Sequence, residues 1–225
     1  MKRDARRPCM EKPVSQEDAN QKEGETNRLE AFSDGVFAIA ITLLVLDLQV
    51  PSLNPASPAA LAGALVEQWP AYLTFVISFA TILIMWVYHH NLFQSVKKAE
   101  TVLLFSNGFL LLLATIVPFP THLVALYLTT PAAPVACATY AGFFVLIDLA
   151  YNLLWWVVAR QQPGYRLRRH RLPVSMIISF LGFPCYLLAM LVAFWLPLLS
   201  LFICCVLWII WAVTAHTQRI EKNSF

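Results

Sequence analysis

The chain has 225 residues, of which 59% are hydrophobic and 13% charged, with a formal net charge of +3 and a mean hydropathy of +0.63. That is too little polar surface to coat a water-soluble globule, so the composition excludes a soluble enzyme or binding domain and fits an integral membrane protein. The basic residues sit in tails and connections and form no basic face on a folded domain, so nucleic acid is not an expected partner.

Residues 1–26 are polar, mixed in charge and free of any apolar run, which predicts a disordered tail and no cleavable signal. Asn27 then reads as a helix cap, with Glu30 at the third position of a capping box. The stretch RLEAFSDGVFAIAITLLVLDLQV runs from Arg28 to Val50, and from Gly35 to Leu46 its only polar residue is Thr42. At ~1.5 Å per residue a run of this length crosses a hydrocarbon core of roughly 30 Å. The helix therefore spans a bilayer, and Arg28 and Asp34 place ionic groups at one of its mouths.

Counting about 100° per residue from Asp34, Gly35 projects at about 100°, Ile39 at about 140°, Thr42 at about 80°, and Leu46 and Arg28 at about 120°. One stripe thus carries a cation at the mouth and then small, bulky, hydroxyl-bearing and bulky side chains. Asp34 points about a quarter-turn aside, toward a neighbouring helix. The spacing leaves two readings open: the stripe packs into a neighbour within one bundle, or it lines a path for ions.

Five further apolar segments follow, at 59–88, 102–125, 132–159, 173–195 and 198–215. The second segment opens on Ser57 and Pro58, a cap and the residue suited to the first helical position. Pro70 beside Trp69 predicts a kink near the outer surface, and His89 and His90 stand at the inner end. The third follows Lys97 and Lys98, holds Ser106 and Asn107 in its inner half, and breaks at Pro118, Phe119 and Pro120. The fourth carries Asp148 about eleven residues from its inner end, hence near mid-membrane at ~1.5 Å per residue, with Asn152 one turn away. An ionisable group at that depth is a functional candidate by default, the alternative being a protonated or hydrogen-bonded Asp that ties helices together. The last two segments carry no charge between Pro173 and Ala215 and read as lipid-facing scaffold, the final one starting at Pro197.

All 16 Lys and Arg lie in the stretch through Arg28, at Lys97 and Lys98, between Arg160 and Arg171, or at Arg219 and Lys222. With six spans these positions share one side, and the positive-inside rule then predicts both termini in the cytoplasm. The expected architecture is an all-α membrane protein with six transmembrane helices per subunit, a six-helix transmembrane domain over 27–217 between cytoplasmic tails at 1–26 and 218–225. In that topology Arg28, Asp34, His90 and Asn107, from three different helices, meet in the inner leaflet. The Arg160 to Arg171 loop fixes topology by default, with anionic lipid binding left open.

Cys9, Cys137, Cys185, Cys204 and Cys205 are odd in number and lack CxxC spacing, so neither a metal nor a disulfide is expected. His89 and His90 are adjacent, point about 100° apart and cannot ligate one metal from a single helix face. HExxH and GxSxG are absent. His122 and His216 stand alone near helix ends, as snorkelling interface residues do.

The first helix resembles the prokaryotic branch of the transmembrane protein 175 family of potassium channels. The residues that carry the resemblance are Arg28, then Phe32, Ser33 and Asp34, then GVFAIAITLLVLDL, with His90, Asn107 and the PFPT at Pro118 to Thr121 in support. The resemblance implies a potassium-permeable channel built from six-helix subunits, with potassium ions as the permeant species, membrane lipid as its surroundings and no cofactor. Animal lysosomal members carry two such repeats, whereas this chain has one FSD motif, which implies a homotetramer with four first helices around the pore. It also implies that Ile39 and Leu46 form the narrowest apolar rings, with the Thr42 hydroxyl between them and Gly35 on the same pore-lining stripe. Arg28, Phe32, Ser33 and Asp34, with His90 and Asn107, become a brace in which Asp34 accepts hydrogen bonds from His90 or Asn107.

A proton-coupled secondary transporter using Asp34, Asp148 and His90 as a relay is the alternative. Neither an inverted repeat nor paired broken helices of the transporter kind are visible in the sequence.

Overall fold

The computed structural model describes residues 16–49, 51–54, 57–161 and 174–223, with side chains described over 24–46, 48–49, 51–54, 57–161 and 181–214. The described residues are helical, with no strand among them. Helix α1 covers Gln16–Leu43 and passes into a 3-10 turn at Leu44–Asp47. The expected start at Asn27 is corrected: Asn27 lies inside α1, where there is no helix end to cap. The sequence QEDANQKEGET is mostly Glu, Gln, Lys and Ala, which cost a helix little, and the single Gly24 costs only ~1 kcal/mol. The part of the expected tail from Gln16 onward is therefore helical, while residues 1–15 lie outside the described residues.

The second apolar segment is two helices, α2 at Pro58–Glu67 and α3 at Trp69–Phe93, divided at Gln68. Ser57 caps α2 as its sequence predicts, its Oγ accepting from the Ala60 N–H at 3.2 Å. The expected kink at Pro70 is instead a helix start. Pro70 sits in the first turn of α3, where its missing N–H forfeits no intrahelical bond. The third segment divides at Val117 into α4, Thr101–Ile116, and α5, Pro118–Tyr127. Pro118 and Pro120 supply no N–H to the carbonyls one turn back, and the Val117 N–H turns to the Ala114 carbonyl at 3.3 Å.

Helix α6 covers Ala133–Arg160, α7 Val174–Val192 with Pro184 inside it, and α8 Pro197–Asn223. Among the described residues, five stretches are long and apolar enough to cross a membrane: Gly24–Leu46, Trp69–Phe93, Thr101–Tyr127, Ala133–Arg160 and Pro197–Thr214. The chain is a multi-pass, all-helical membrane protein. The sixth expected span falls on α7, whose side chains are described only from Leu181, and the basic residues Arg166 to Arg171 lie outside the described residues.

Lipid tails are as apolar as leucine, so these helices gain little from burying oil and depend on close packing and on satisfied polar groups. Helix α6 is the centre, packing on α4, α5, α7 and α8. Its buried Ala136, Ala141 and Ala150 let other backbones approach. Hydroxyls of Thr74, Thr81, Ser106 and Thr139 donate to carbonyls one turn back in their own helices, at 2.7 to 2.8 Å, which satisfies them without water. A longer polar tie crosses three helices. Thr121 on α5 donates to the Val117 carbonyl at 2.8 Å and so accepts from Ser78 of α3 at 2.7 Å. Ser78 in turn accepts from the Tyr140 hydroxyl of α6 at 3.3 Å.

Candidate functional site

Helix α1 packs on α3 and α4, and its sequence divides it into two faces. Ser33, Phe37, Ala40 and Leu44, spaced by three and four residues, form the buried face. On the other side Arg28, Gly35 and Thr42 are exposed, as are Phe32 (63%), Ile39 (59%) and Leu46 (69%). The stripe singled out in the sequence is therefore the face that α1 turns away from the other helices of its own chain. Thr42 donates its hydroxyl hydrogen to the Ile39 carbonyl at 2.9 Å, which leaves the oxygen lone pairs facing outward as the stripe's one hydroxyl acceptor.

The buried face is held by a hydrogen-bond chain with a single sense of donation. Ser33 Oγ donates to the Leu29 carbonyl at 2.9 Å and accepts from Asn107 Nδ2 at 2.9 Å. Because the Asn107 amide nitrogen is spent on Ser33, its Oδ1 faces His89 Nε2 at 2.8 Å, and that nitrogen must carry the proton. His89 is stacked on Phe93 with ring centroids 4.0 Å apart and meets the edge of Phe37 at 5.3 Å. Its Nδ1 is buried without a partner. Three helices are thus locked in register by Ser33, His89 and Asn107, all fully buried.

A second set of contacts lies toward the mouth. Trp86 Nε1 donates to Asp34 Oδ1 at 2.7 Å, and His90 Nδ1 meets Glu30 Oε1 at 2.8 Å. The Trp86 and His90 rings stack with centroids 5.9 Å apart, so the two contacts are joined across α3.

The expected brace is corrected in its pairings. Asp34 accepts from Trp86 and from neither His90 nor Asn107; Asn107 is held by His89; and His90 pairs with Glu30. The cause is helical phase. The buried face of α3 runs Ser78, Ile82, Met85, His89, Phe93, and His90 falls about 100° off it. That stripe was readable in the sequence and would have selected His89; Trp86 carried no motif signal, and Glu30 was read as part of a helix cap. Phe32 and Arg28 do not join the brace, since both are exposed. Asp148 stands apart, buried on α6 with Asn152 Nδ2 donating to its Oδ2 at 3.0 Å, well away from α1 in the packing order. Among the described residues no group of His, Cys, Asp and Glu is arranged to hold a metal.

Residues 28–118, which include most of α1, all of α3 and α4 and so the contacts among these three helices, match the family model described as endosomal/lysosomal potassium channel TMEM175. The chain is similar to a potassium channel of Chamaesiphon minutus, 42% identical over 197 residues, or 87% of this chain and 97% of the relative. It is also similar to a potassium channel of Streptomyces collinus, 47% identical over 60% of this chain and 66% of the relative. The crystal structure of a lysosomal potassium-selective channel TMEM175 homolog from Chamaesiphon minutus superposes with a TM-score of 0.77 at 43% identity, covering 85% of this chain and 98% of that one. With that identity over nearly the whole of a relative, the chain belongs to the TMEM175 family of membrane ion channels and is not an enzyme.

Proposed function

We propose that the chain is one subunit of a homotetrameric, potassium-permeable channel of the cell membrane, with both termini in the cytoplasm and α1 of each subunit lining the pore. The observation that carries the reading is the division of α1: one face is fastened to α3 and α4, while Gly35, Ile39, Thr42 and Leu46 face away from their own subunit. The relatives named as potassium channels supply the permeant ion.

In this reading Ile39 and Leu46 from each copy close apolar rings around the axis, with the Thr42 oxygen between them. The sequence contains no TVGYG-like carbonyl filter. An apolar ring controls passage by dewetting and by the cost of stripping water from the ion, and potassium holds its shell less tightly than sodium. The Ser33, Asn107 and His89 chain then has a mechanical role: it fixes the rotation of α1 and so aims the rings.

Ile39→Asn tests the assignment in purified channels reconstituted into planar bilayers. A polar ring retains water, so conductance rises and the reversal potential under a potassium–sodium gradient shifts toward sodium permeation. Leu46→Asn does the same more weakly. An unchanged permeability ratio in Ile39→Asn would sink the pore assignment. Substrate-saturable potassium flux that requires an opposing proton gradient would favour the transporter reading instead.

A further inference from the structure

Helices α3, α6, α7 and α8 line a half-open cavity of about 80 Å³ to which no residue of α1 contributes. Asp148 and Asn152 are on its wall, and the rest of the lining is dominated by aromatic side chains. Asp148 is only 7% exposed and is the one charged side chain on that wall. Neither Lys nor Arg occurs between Leu181 and Thr214, so the described parts of α7 and α8 bring no cation to it.

The wall disfavours a metal ion. The Tyr88 hydroxyl donates to the Trp211 carbonyl at 2.6 Å, the Tyr151 hydroxyl to the Met85 carbonyl at 2.5 Å, and the Thr81 hydroxyl to the Ile77 carbonyl at 2.8 Å. These phenols are tied to backbone and offer the cavity their rings. Rings and one carboxylate make a poor oxygen cage for an inorganic cation and a good one for an organic ammonium ion, through cation–π attraction and a charge-assisted hydrogen bond. Tyr186, Trp208 and Trp211 complete the wall, the Tyr186 hydroxyl lying beside the two indoles.

We propose that this intrasubunit cavity is a binding site for a small organic ammonium ion, its nitrogen on Asp148. The volume accommodates roughly two or three waters' worth of matter, which is the size of ethanolamine. The site is separate from the α1 face and does not depend on the pore assignment.

The test uses the full-length protein in lipid nanodiscs with ethanolamine as the probe, read by saturation-transfer NMR against empty nanodiscs. Transfer to the ethanolamine methylene protons is expected in the parent protein. It is expected to vanish in Asp148→Asn, which keeps the side-chain shape, and in Thr81→Leu, which fills the cavity and leaves the carboxylate; should Asp148→Asn fail to fold, Thr81→Leu carries the comparison. Ile39→Asn, on the opposite side of the subunit's packing order, should leave the signal intact. Absence of transfer in the parent, or equal transfer in the parent and in Thr81→Leu, would overturn the site. Displacement of ethanolamine by potassium chloride but not by equimolar N-methylglucamine chloride would overturn the organic preference and assign the cavity to an inorganic ion.

Discussion

Asn107 is the residue on which the inner network turns, because it is the only side chain that both donates to Ser33 and accepts from His89. Asn107→Leu leaves the buried His89 Nε2–H unmatched, and a stranded buried donor costs about 1–3 kcal/mol. Ser33→Ala is gentler: the Asn107 amide loses one acceptor, while the Ser33 bond to Leu29 was local to begin with. Thermal unfolding of the purified protein in detergent should rank the variants Asn107→Leu below Ser33→Ala below parent. Asp34→Asn should fall nearest the parent, since an amide oxygen still accepts from Trp86; a drop as large as that of Asn107→Leu would show that the carboxylate charge itself holds the helix. The sequence made Ser33, Asp34 and Asn107 visible because they are polar residues in an apolar run. It did not separate His89 from His90, since adjacency hides which one shares the buried face of α3. Phe32 was drawn into the brace by its place in the motif, although its phase on α1 matches that of the exposed stripe.

The breaks between helices were legible at Pro58, Pro118 and Pro197, each of which opens a helix. Pro70 was read as a kink because its long apolar segment gives no sign that the chain stops at Gln68. The amino-terminal extension of α1 was hidden for the opposite reason, since a polar sequence with good helix formers looks the same in a tail and in a helix. How closely α6 and α7 approach was not legible at all, and two glycines now separate it into testable parts. A side-chain carbon at Gly182 would run into the Asp148 carboxylate and lie 2.9 Å from Cζ2 of Trp211, inside the normal contact limit. One at Gly142 meets only Met190 Sδ at 3.3 Å, on a flexible side chain that can swing away. Gly182→Ala should therefore destabilise by about 1–3 kcal/mol through overpacking. Gly142→Ala should be near neutral, because the lower helix cost of Ala, up to ~1 kcal/mol, offsets a small local adjustment. Equal melting temperatures for the two variants would contradict the close approach of α7 to Asp148.

At the scale of the whole molecule the exposed face of α1 raises a question of number. One helix presents one narrow stripe, and a closed apolar ring needs several copies of it around an axis; four is the count expected for a chain carrying a single FSD motif. Exposure alone does not decide this, since α8, which the sequence reads as lipid-facing scaffold, also shows large apolar side chains outward, Phe202 and Ile209 among them. What distinguishes α1 is that its outward face also bears Arg28, Gly35 and Thr42, an unusual set to lay against hydrocarbon. Cysteine cross-linking separates the two surroundings. With Cys9 replaced by serine, Ile39→Cys is expected to form disulfide-linked dimers of the chain in oxidised membranes, because equivalent positions face each other across a shared axis. Phe37→Cys, buried against His89 at 1% exposure, and Ile209→Cys, on the lipid side, should remain monomeric on a denaturing gel. Native mass spectrometry of the uncrosslinked parent should give four chains per particle. Cross-links at Ile209 and none at Ile39 would move the shared axis to α8, and a single chain per particle that still conducts would place the ion path inside one subunit.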